Sequence, residues 1–320
     1  MRIAVLDDYQ GLAQQLADWS AVQRQAELTV FRRPLAAGEA VQALAGFDAV
    51  CHLRERMAMP GALIAQLPRL KLIVVTGVEH RTLDVAAATQ RGILVSQAPN
   101  AGNGRSATAE LAWALILALA RQIPQAAAAM VQGGWQRHCG NTLHGKTLGL
   151  LGFGRIGRSM VPVARAFGME VLAWSPNLTP ADASAGGAAW AAKDELLARS
   201  DYVSLHLVLG ERSRHVVGRR ELAAMKPTAR LVNTARAGLV DGDALLQALR
   251  TRRIAGAALD VFDQEPLPDV HPLRGLDNVI LTPHLGYTVE EALRGFYAAT
   301  VECLLAWLAG QPIRLLHPAP

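Results

Sequence analysis

The sequence predicts an α/β protein with two doubly wound domains, each built on a parallel sheet. Short runs rich in Val, Ile and Leu alternate with helical patterns along the chain, as expected for parallel sheets covered by helices on both faces. A long helix, predicted from about Ser106 to Arg121, separates two such series. With 320 residues, the chain is long enough for two domains of ordinary size.

The first series contains five candidate strands, separated by helical stretches or loops. They are RIAVL (2–6), LTVF (28–31), DAVCHL (48–53), KLIVV (71–75) and ILVS (93–96). The long helix that follows includes the apolar run LAWALILALA, between Glu110 and Arg121, which is too short to cross a bilayer. We therefore predict a buried helix there.

The second series begins with TLGLLG, after the Gly-rich connector 133–145. Gly152, Gly154 and Gly157 follow in G-x-G-x-x-G spacing between an apolar strand and an amphipathic helix. This pattern provides a tight turn, a close approach for a pyrophosphate, and close helix packing. Phosphates would then meet the N–H groups at the start of the helix. The segment therefore predicts dinucleotide binding.

The stretch VLAWSPN departs from the expected dinucleotide site. An acid that bonds the adenosine ribose is expected about 20 residues after the glycines, where this chain has Ser175. Aspartate would repel a 2′-phosphate, so its replacement removes an obstacle to NADP. No arginine follows to bind that phosphate, although Ser175 and Asn177 offer hydrogen bonds. We predict NAD or NADP as cofactor, with NADP slightly favoured.

Polar residues follow three later candidate strands. Arg236 lies in LVNTARAGLVD, Asp260 and Glu265 in GAALDVFDQEPL, and His284 in LTPHLGYT. Each residue alone is more often solvated or structural. Because parallel sheets bind ligands beyond the carboxyl ends of their strands, the three loops together indicate an active site.

Composition excludes several classes of protein. The net charge of +5 comes from 28 arginines and 4 lysines without a long run, so we expect no nucleic-acid partner. No basic region precedes the first apolar run, so we expect no signal peptide and no membrane partner. Cys51, Cys139 and Cys303 are odd in number and far apart, which argues against disulfides or a zinc ribbon and fits a cytoplasmic location. We assign no metal ligands.

These motifs together resemble the D-isomer-specific 2-hydroxyacid dehydrogenase family, which includes glyoxylate/hydroxypyruvate reductases and phosphoglycerate dehydrogenase-like proteins. The upstream segments LPRLKLIVVTG, RGILVS and ATAELAWALILALAR also match, so the resemblance covers essentially the whole chain. It implies a Rossmann nucleotide-binding domain (101–286) inserted in a flavodoxin-like substrate domain (1–100 plus 287–320). It also implies a homodimer formed through the helix after Arg105.

The resemblance implies interconversion of a small 2-keto acid and its D-2-hydroxy acid. Arg236 would hold the substrate, His284 would donate or accept the proton, and Glu265 would bond the other imidazole nitrogen. The implied substrate-binding residues are Arg54, Gly77 and Val78, although Arg54 could equally be a surface charge. The implied cofactor-binding residues are Thr108, Gly152, Gly154, Arg155, Ile156, Gly157, Ser175, Asn177, His206, Thr234, Asp260 and Gly286.

Two other functions stay open at this point. The first is a non-catalytic NAD(H)-sensing binding protein, because relatives resembling transcriptional corepressors use the same fold. The second is oxidation of an inorganic or one-carbon anion. The presence of Arg236, Glu265 and His284 together favours the 2-keto acid enzyme.

Overall fold

The computed structural model describes residues 1–77, 82–100 and 106–316. The chain divides into two compact units, the first comprising Met1–Arg105 with Thr288–Pro320 and the second Ser106–Tyr287. Each unit has its own parallel sheet, and all paired strands in both sheets run parallel. The predicted fold class is confirmed.

The first unit contains a five-stranded sheet of order β2-β1-β3-β4-β5. Its strands are β1 (Arg2–Val5), β2 (Glu27–Val30), β3 (Ala49–His52), β4 (Leu72–Thr76) and β5 (Leu94–Ala98). Each overlaps one of the five predicted strands. This is the flavodoxin-like order, in which the direction of chain winding changes between β1 and β3.

The helices of the first unit cover this sheet. Leu44, Ile64 and Ile73 are fully buried in its apolar core. They are α1 (Ala13–Leu16), α2 (Ser20–Gln23), α3 (Ala37–Leu44), α4 (Gly61–Ile64), α5 (Val85–Gln90) and the C-terminal α13 (Glu290–Leu308). Helix α13 packs against α1, α2, β4 and β5. The end of the chain thus returns to the first unit.

The second unit contains a seven-stranded sheet of order β12-β11-β10-β9-β6-β7-β8. Its strands are β6 (Thr147–Leu151), β7 (Glu170–Trp174), β8 (Ala189–Trp190), β9 (Tyr202–Leu205), β10 (Arg230–Asn233), β11 (Gly256–Leu259) and β12 (Val279–Leu281). The winding direction changes between β6 and β9, as in the Rossmann fold. The loops after these two strands are therefore the expected ligand-binding position.

Seven α-helices flank this sheet in the described part of the second unit. They are α6 (Ala107–Arg121), α7 (Ile123–Val131), α8 (Arg155–Ala166), α9 (Pro180–Ala185), α10 (Lys193–Arg199), α11 (Arg219–Ala224) and α12 (Gly242–Arg250). Helix α6 buries Trp113, Leu115, Ile116 and Leu119, as predicted for its apolar run. Within the described ranges, no single helix is long and apolar enough to span a membrane. Helices α6 and α7 meet these criteria only when they are taken together, and their axes are bent by 64° at the break between them.

Candidate active site

The glycine loop joins β6 to α8 and has two positions that require glycine. Gly152 has a φ of +106°, and a Cβ there would overlap the main chain of His206. A Cβ on Gly157 would overlap the carbonyl oxygen of Gly152, so the absence of a side chain allows α8 to pack on the loop. These two glycines shape the turn and the helix contact.

Gly154 differs because no contact with the described residues excludes a side chain at this position. Its φ of −78° suits any residue, and a Cβ would have no atom of the described chain within 4 Å. Gly154 caps α8, whose first turn contains the exposed Arg155 and the partly buried Ile156. The loop therefore leaves space at the positive end of a helix, where a phosphate binds well.

Ser175 follows β7 directly, and its side chain contacts the glycine loop. Its Oγ accepts a hydrogen bond from the N–H of Phe153 at 2.9 Å. Its carbonyl oxygen accepts another from the N–H of Leu178 at 3.1 Å, in a turn that leaves Asn177 exposed. The Ser175 hydroxyl proton can still be donated to another acceptor.

His206 follows β9 and lies beside the glycine loop. Its N–H donates to the carbonyl oxygen of Leu151 at 2.7 Å, and its Nε2 lies 2.9 Å from Ser204 Oγ. Burial lowers the pKa of His206 to about 4, so the ring is neutral near neutral pH. His206 therefore places no positive charge at this edge.

Asp260 follows β11 and holds the loop that contains His284. Its Oδ1 accepts hydrogen bonds from Thr282 Oγ1 at 2.6 Å and Leu285 N–H at 2.7 Å. Its Oδ2 accepts one from Gly286 N–H at 2.9 Å, and Thr108 Oγ1 donates to the Gly286 carbonyl oxygen at 2.7 Å. Burial raises the pKa of Asp260, while these hydrogen bonds oppose the rise.

His284 forms a close pair with Glu265. Its Nδ1 lies 2.6 Å from Glu265 Oε2, and Glu265 Oε1 accepts a hydrogen bond from Phe262 N–H at 2.9 Å. The ring of Tyr287 meets the imidazole edge to face, with centroids 5.5 Å apart. His284 has a φ of +53°, a conformation that histidine adopts more readily than most residues. These contacts direct Nδ1 of the imidazole toward Glu265.

Arg236 lies in the loop after β10, and Asn233 braces that loop. Asn233 Oδ1 accepts a hydrogen bond from Ala235 N–H at 3.0 Å, and its Nδ2 donates to the Arg236 carbonyl oxygen at 2.9 Å. Arg236 Nη1 donates to the carbonyl oxygen of Ala235 at 2.7 Å. Thr234 is buried, and its Oγ1 has no hydrogen-bond partner among the described residues.

On the first unit, Arg54 and Gly77 contact each other. The N–H of Arg54 donates to Thr76 Oγ1 at 2.7 Å, and its Nη1 donates to the Thr76 carbonyl oxygen at 3.2 Å. Gly77 has a φ of +95°, and a Cβ there would overlap the Arg54 guanidinium. The third predicted substrate residue, Val78, lies outside the described residues.

Comparison with known proteins agrees with this arrangement. Residues 113–286 match the NAD-binding domain of the D-isomer specific 2-hydroxyacid dehydrogenases. The chain belongs to the D-isomer specific 2-hydroxyacid dehydrogenase family. The suspected resemblance is confirmed, and the second unit contains the NAD-binding domain of this family.

Relatives of this dehydrogenase family include enzymes with different named substrates. The chain is 42% identical to D-3-phosphoglycerate dehydrogenase of Methanocaldococcus jannaschii over 78% of its own length but only 48% of that protein. It is 40% identical to glyoxylate reductase of Thermococcus litoralis over 78% of this chain and 77% of that protein. Thus the chain spans about half of the first relative and most of the second.

A solved structure of a Ralstonia solanacearum oxidoreductase has the same fold. It superposes with a TM-score of 0.93 and 36% identity, over 100% of this chain and 97% of that protein.

Three residues that organise the loops of this dehydrogenase were not predicted from its sequence. They are Phe153, Asn233 and Thr282. Only Asn233 and Thr282 carried a signal, as polar residues at the carboxyl ends of buried strands.

Proposed function

We propose that the protein is an NAD(P)-dependent oxidoreductase that interconverts a small 2-keto acid and its D-2-hydroxy acid. The observation that carries this proposal is the 2.6 Å His284–Glu265 pair, on loops at the carboxyl edge of a Rossmann sheet. Relatives named D-3-phosphoglycerate dehydrogenase and glyoxylate reductase support the same reaction class.

The residues present suit a nicotinamide dinucleotide, which when bound supplies or accepts the hydride. The glycine loop offers N–H groups and open space at Gly154, and the buried Thr234 hydroxyl, in the loop after β10, has no hydrogen-bond partner among the described residues. We propose that the remaining cofactor contacts come from the residues implied by family resemblance. They are Thr108, Gly152, Arg155, Ile156, Gly157, Ser175, Asn177, His206, Asp260 and Gly286.

His284 and Arg236 are the proposed catalytic residues. The Arg236 guanidinium binds the substrate carboxylate and carbonyl oxygen, a planar recognition task that suits arginine better than lysine. His284 donates a proton to the carbonyl oxygen during reduction and accepts it during oxidation. Glu265 acts at Nδ1, where it orients the ring. On the first unit, Arg54, Gly77 and Val78 are the proposed contacts for the substrate carboxylate.

The proposal includes use of either NAD or NADP, with NADP slightly favoured. Ser175 does not repel a 2′-phosphate as aspartate would, and its hydroxyl retains a proton to donate. Arg155, exposed in the first turn of α8, is the proposed cation for that phosphate.

We further propose a cytoplasmic homodimer. Free Cys51, Cys139 and Cys303 suit a reducing compartment. Large apolar side chains on α7 and the connector after it are exposed, and such a patch favours a protein interface. They are Ile123, Met130, Val131 and Trp135. Light scattering coupled to size-exclusion chromatography measures the mass in solution.

The reaction is tested by following nicotinamide absorbance with glyoxylate, hydroxypyruvate, pyruvate and bulkier 2-keto acids, each with NADH and NADPH. Consumption of reduced cofactor with one of these acids, lost in His284→Gln, is the expected result. Nucleotide binding without turnover across the panel would contradict the proposal. That outcome would favour the NAD(H)-sensing binding protein.

A further inference from the structure

Two adjacent aspartates, Asp7 and Asp8, follow β1 after Leu6, and the carboxylate of Asp8 is hydrogen-bonded within the fold. Asp8 is 1% exposed, and its carboxylate accepts hydrogen bonds from the N–H groups of Leu12 and Ala13, both at 3.0 Å. The hydroxyl of Tyr297 on α13 donates to the same carboxylate at 3.1 Å. Asp8 therefore binds the N–H groups at the start of α1 and ties that helix to the C-terminal α13.

Asp7 is equally buried but has an unsatisfied oxygen. Its Oδ1 accepts a hydrogen bond from Tyr9 Oη at 3.1 Å, whereas its Oδ2 has no partner among the described residues. Burial raises the pKa of Asp7 to about 6, opposed by the Tyr9 bond and the Arg56 charge. A buried carboxylate with an unpaired oxygen costs free energy of folding, and such groups are concentrated at functional sites.

Asp7 lies at the position where this sheet type binds ligands. The winding direction changes between β1 and β3, and ligands of such sheets bind beyond the carboxyl ends of the strands at that point. Asp7 follows β1, with a φ of +59° that aspartate tolerates better than most residues.

The segment after β3 connects Asp7 to the proposed substrate residues of this unit. At one end Arg54 bonds Thr76 and contacts Gly77. At the other, Arg56 Nη1 donates to the main-chain oxygen of Asp7 at 2.5 Å, and its guanidinium lies 4.6 Å from the centroid of the Tyr9 ring. Arg56 thus bonds the main-chain oxygen of Asp7 and not its carboxylate. The carboxylate can therefore accept a hydrogen bond from another donor.

We propose that Asp7 is a specificity-determining residue that accepts a hydrogen bond from a donor group on the side chain of the 2-keto acid. This inference rests on the proposed function. The hydroxyl of Tyr9 shows the kind of donor that the carboxylate takes. Tyr9 is 38% exposed, so its side chain can turn outward and yield the carboxylate to the substrate. Substrates with a side-chain hydroxyl are therefore favoured over apolar ones of equal size.

The test compares hydroxypyruvate with 2-oxobutanoate, which has a methyl group in place of the hydroxyl. The ratio of their kcat/KM values is measured for the wild type and for the variants Asp7→Asn and Asp7→Gly. Asparagine and glycine both tolerate the positive φ at this position. This ratio falls by about 10-fold in Asp7→Asn, because a neutral amide oxygen is a weaker acceptor than a carboxylate, and by at least as much in Asp7→Gly, which has no acceptor. Asp18→Asn makes the same exchange at an exposed position and leaves the ratio unchanged.

The pH dependence of this kcat/KM ratio provides a second test. If Asp7 had a purely structural role, the ratio would not depend on its protonation. In the wild type the ratio falls as the pH drops below about 6, because the Asp7 carboxylate becomes protonated between Tyr9 and Arg56. Asp7→Asn removes this dependence.

Three results decide the inference. A ratio within twofold of the wild type in both variants, or equal loss on both substrates, overturns it while the proposed reaction stands. Failure of the wild type to reduce any 2-keto acid overturns the proposed function itself, and this inference with it.

Discussion

Ser175 Oγ lies 2.9 Å from the main-chain nitrogen of Phe153 and accepts its hydrogen bond, so the residue after β7 braces the glycine loop. Dinucleotide-binding folds often place an acid here to bind the adenosine ribose. In this chain the same position stabilises the loop expected to meet the pyrophosphate. Two substitutions separate loop bracing from cofactor selection.

Ser175→Asp should shift preference toward NAD. The new carboxylate can bond the ribose hydroxyls and repels a 2′-phosphate, so the ratio of the Kd for NADPH to that for NADH should rise by about 10-fold or more. Ser175→Ala is the control for loop bracing, because it removes the acceptor for Phe153 N–H and should weaken both cofactors by about fivefold. It also removes the hydroxyl proposed to donate to a 2′-phosphate, so binding of NADPH should weaken at least as much as that of NADH. Fluorescence titration measures both constants. An unchanged ratio in Ser175→Asp would place the ribose elsewhere.

Two glycines of the loop, Gly154 and Gly157, should respond differently to alanine. Gly157→Ala forces a Cβ against the carbonyl oxygen of Gly152, and we expect a loss of about 1–3 kcal/mol in the free energy of unfolding. Gly154→Ala adds a methyl group to open space, so stability should stay within about 0.5 kcal/mol of the wild type. Its dinucleotide Kd should rise about 10-fold, because the methyl group occupies the phosphate approach. Urea denaturation and nucleotide titration test the pair, and undiminished binding by Gly154→Ala would contradict the phosphate position.

The His284–Glu265 pair predicts a separation of turnover from binding. His284→Gln removes the proton donor, and we expect kcat to fall by about 10²–10⁴-fold while the Kd for the nucleotide changes by less than about threefold. His138→Gln is a matched control at an exposed position of the same unit and should keep full activity. Rapid-mixing kinetics and nucleotide titration give the two quantities. Equal losses in both would argue against His284 as the proton donor.

The sequence allowed the strands, the long helix and the glycine loop to be predicted, because each depends on local periodicity or on spacing within a few residues. The pairing of Asp260 with Thr282, Leu285 and Gly286 could not be predicted in the same way. It joins residues that are 22 to 26 positions apart in the sequence, and it depends on β11 and β12 lying side by side as parallel strands. Asp7 and Asp8 are identical neighbours in the sequence, so only their contacts distinguish the aspartate that stabilises the fold from the one with an unpaired oxygen.

These two aspartates should therefore have opposite effects on stability. The pKa of Asp7 is raised from 3.8 to about 6 in the folded protein, so the folded state binds this proton more tightly than the unfolded state. Stability consequently decreases as the pH rises from about 4 to about 6, and the loss persists above that range. Asp7→Asn should remove it, with a gain of about 2–3 kcal/mol in the free energy of unfolding at about pH 8 and little change at about pH 4.

Asp8→Asn should instead lower stability at about pH 8 by about 1–3 kcal/mol, because one carboxylate oxygen becomes an amide NH₂ that faces the N–H donor of either Leu12 or Ala13. Urea denaturation at the two pH values measures both variants against the wild type. A stability gain from Asp7→Asn accompanied by reduced selectivity for hydroxypyruvate is the combination expected of a binding residue retained at the expense of stability. Equal destabilisation by both substitutions would mean that Asp7, like Asp8, serves only the fold.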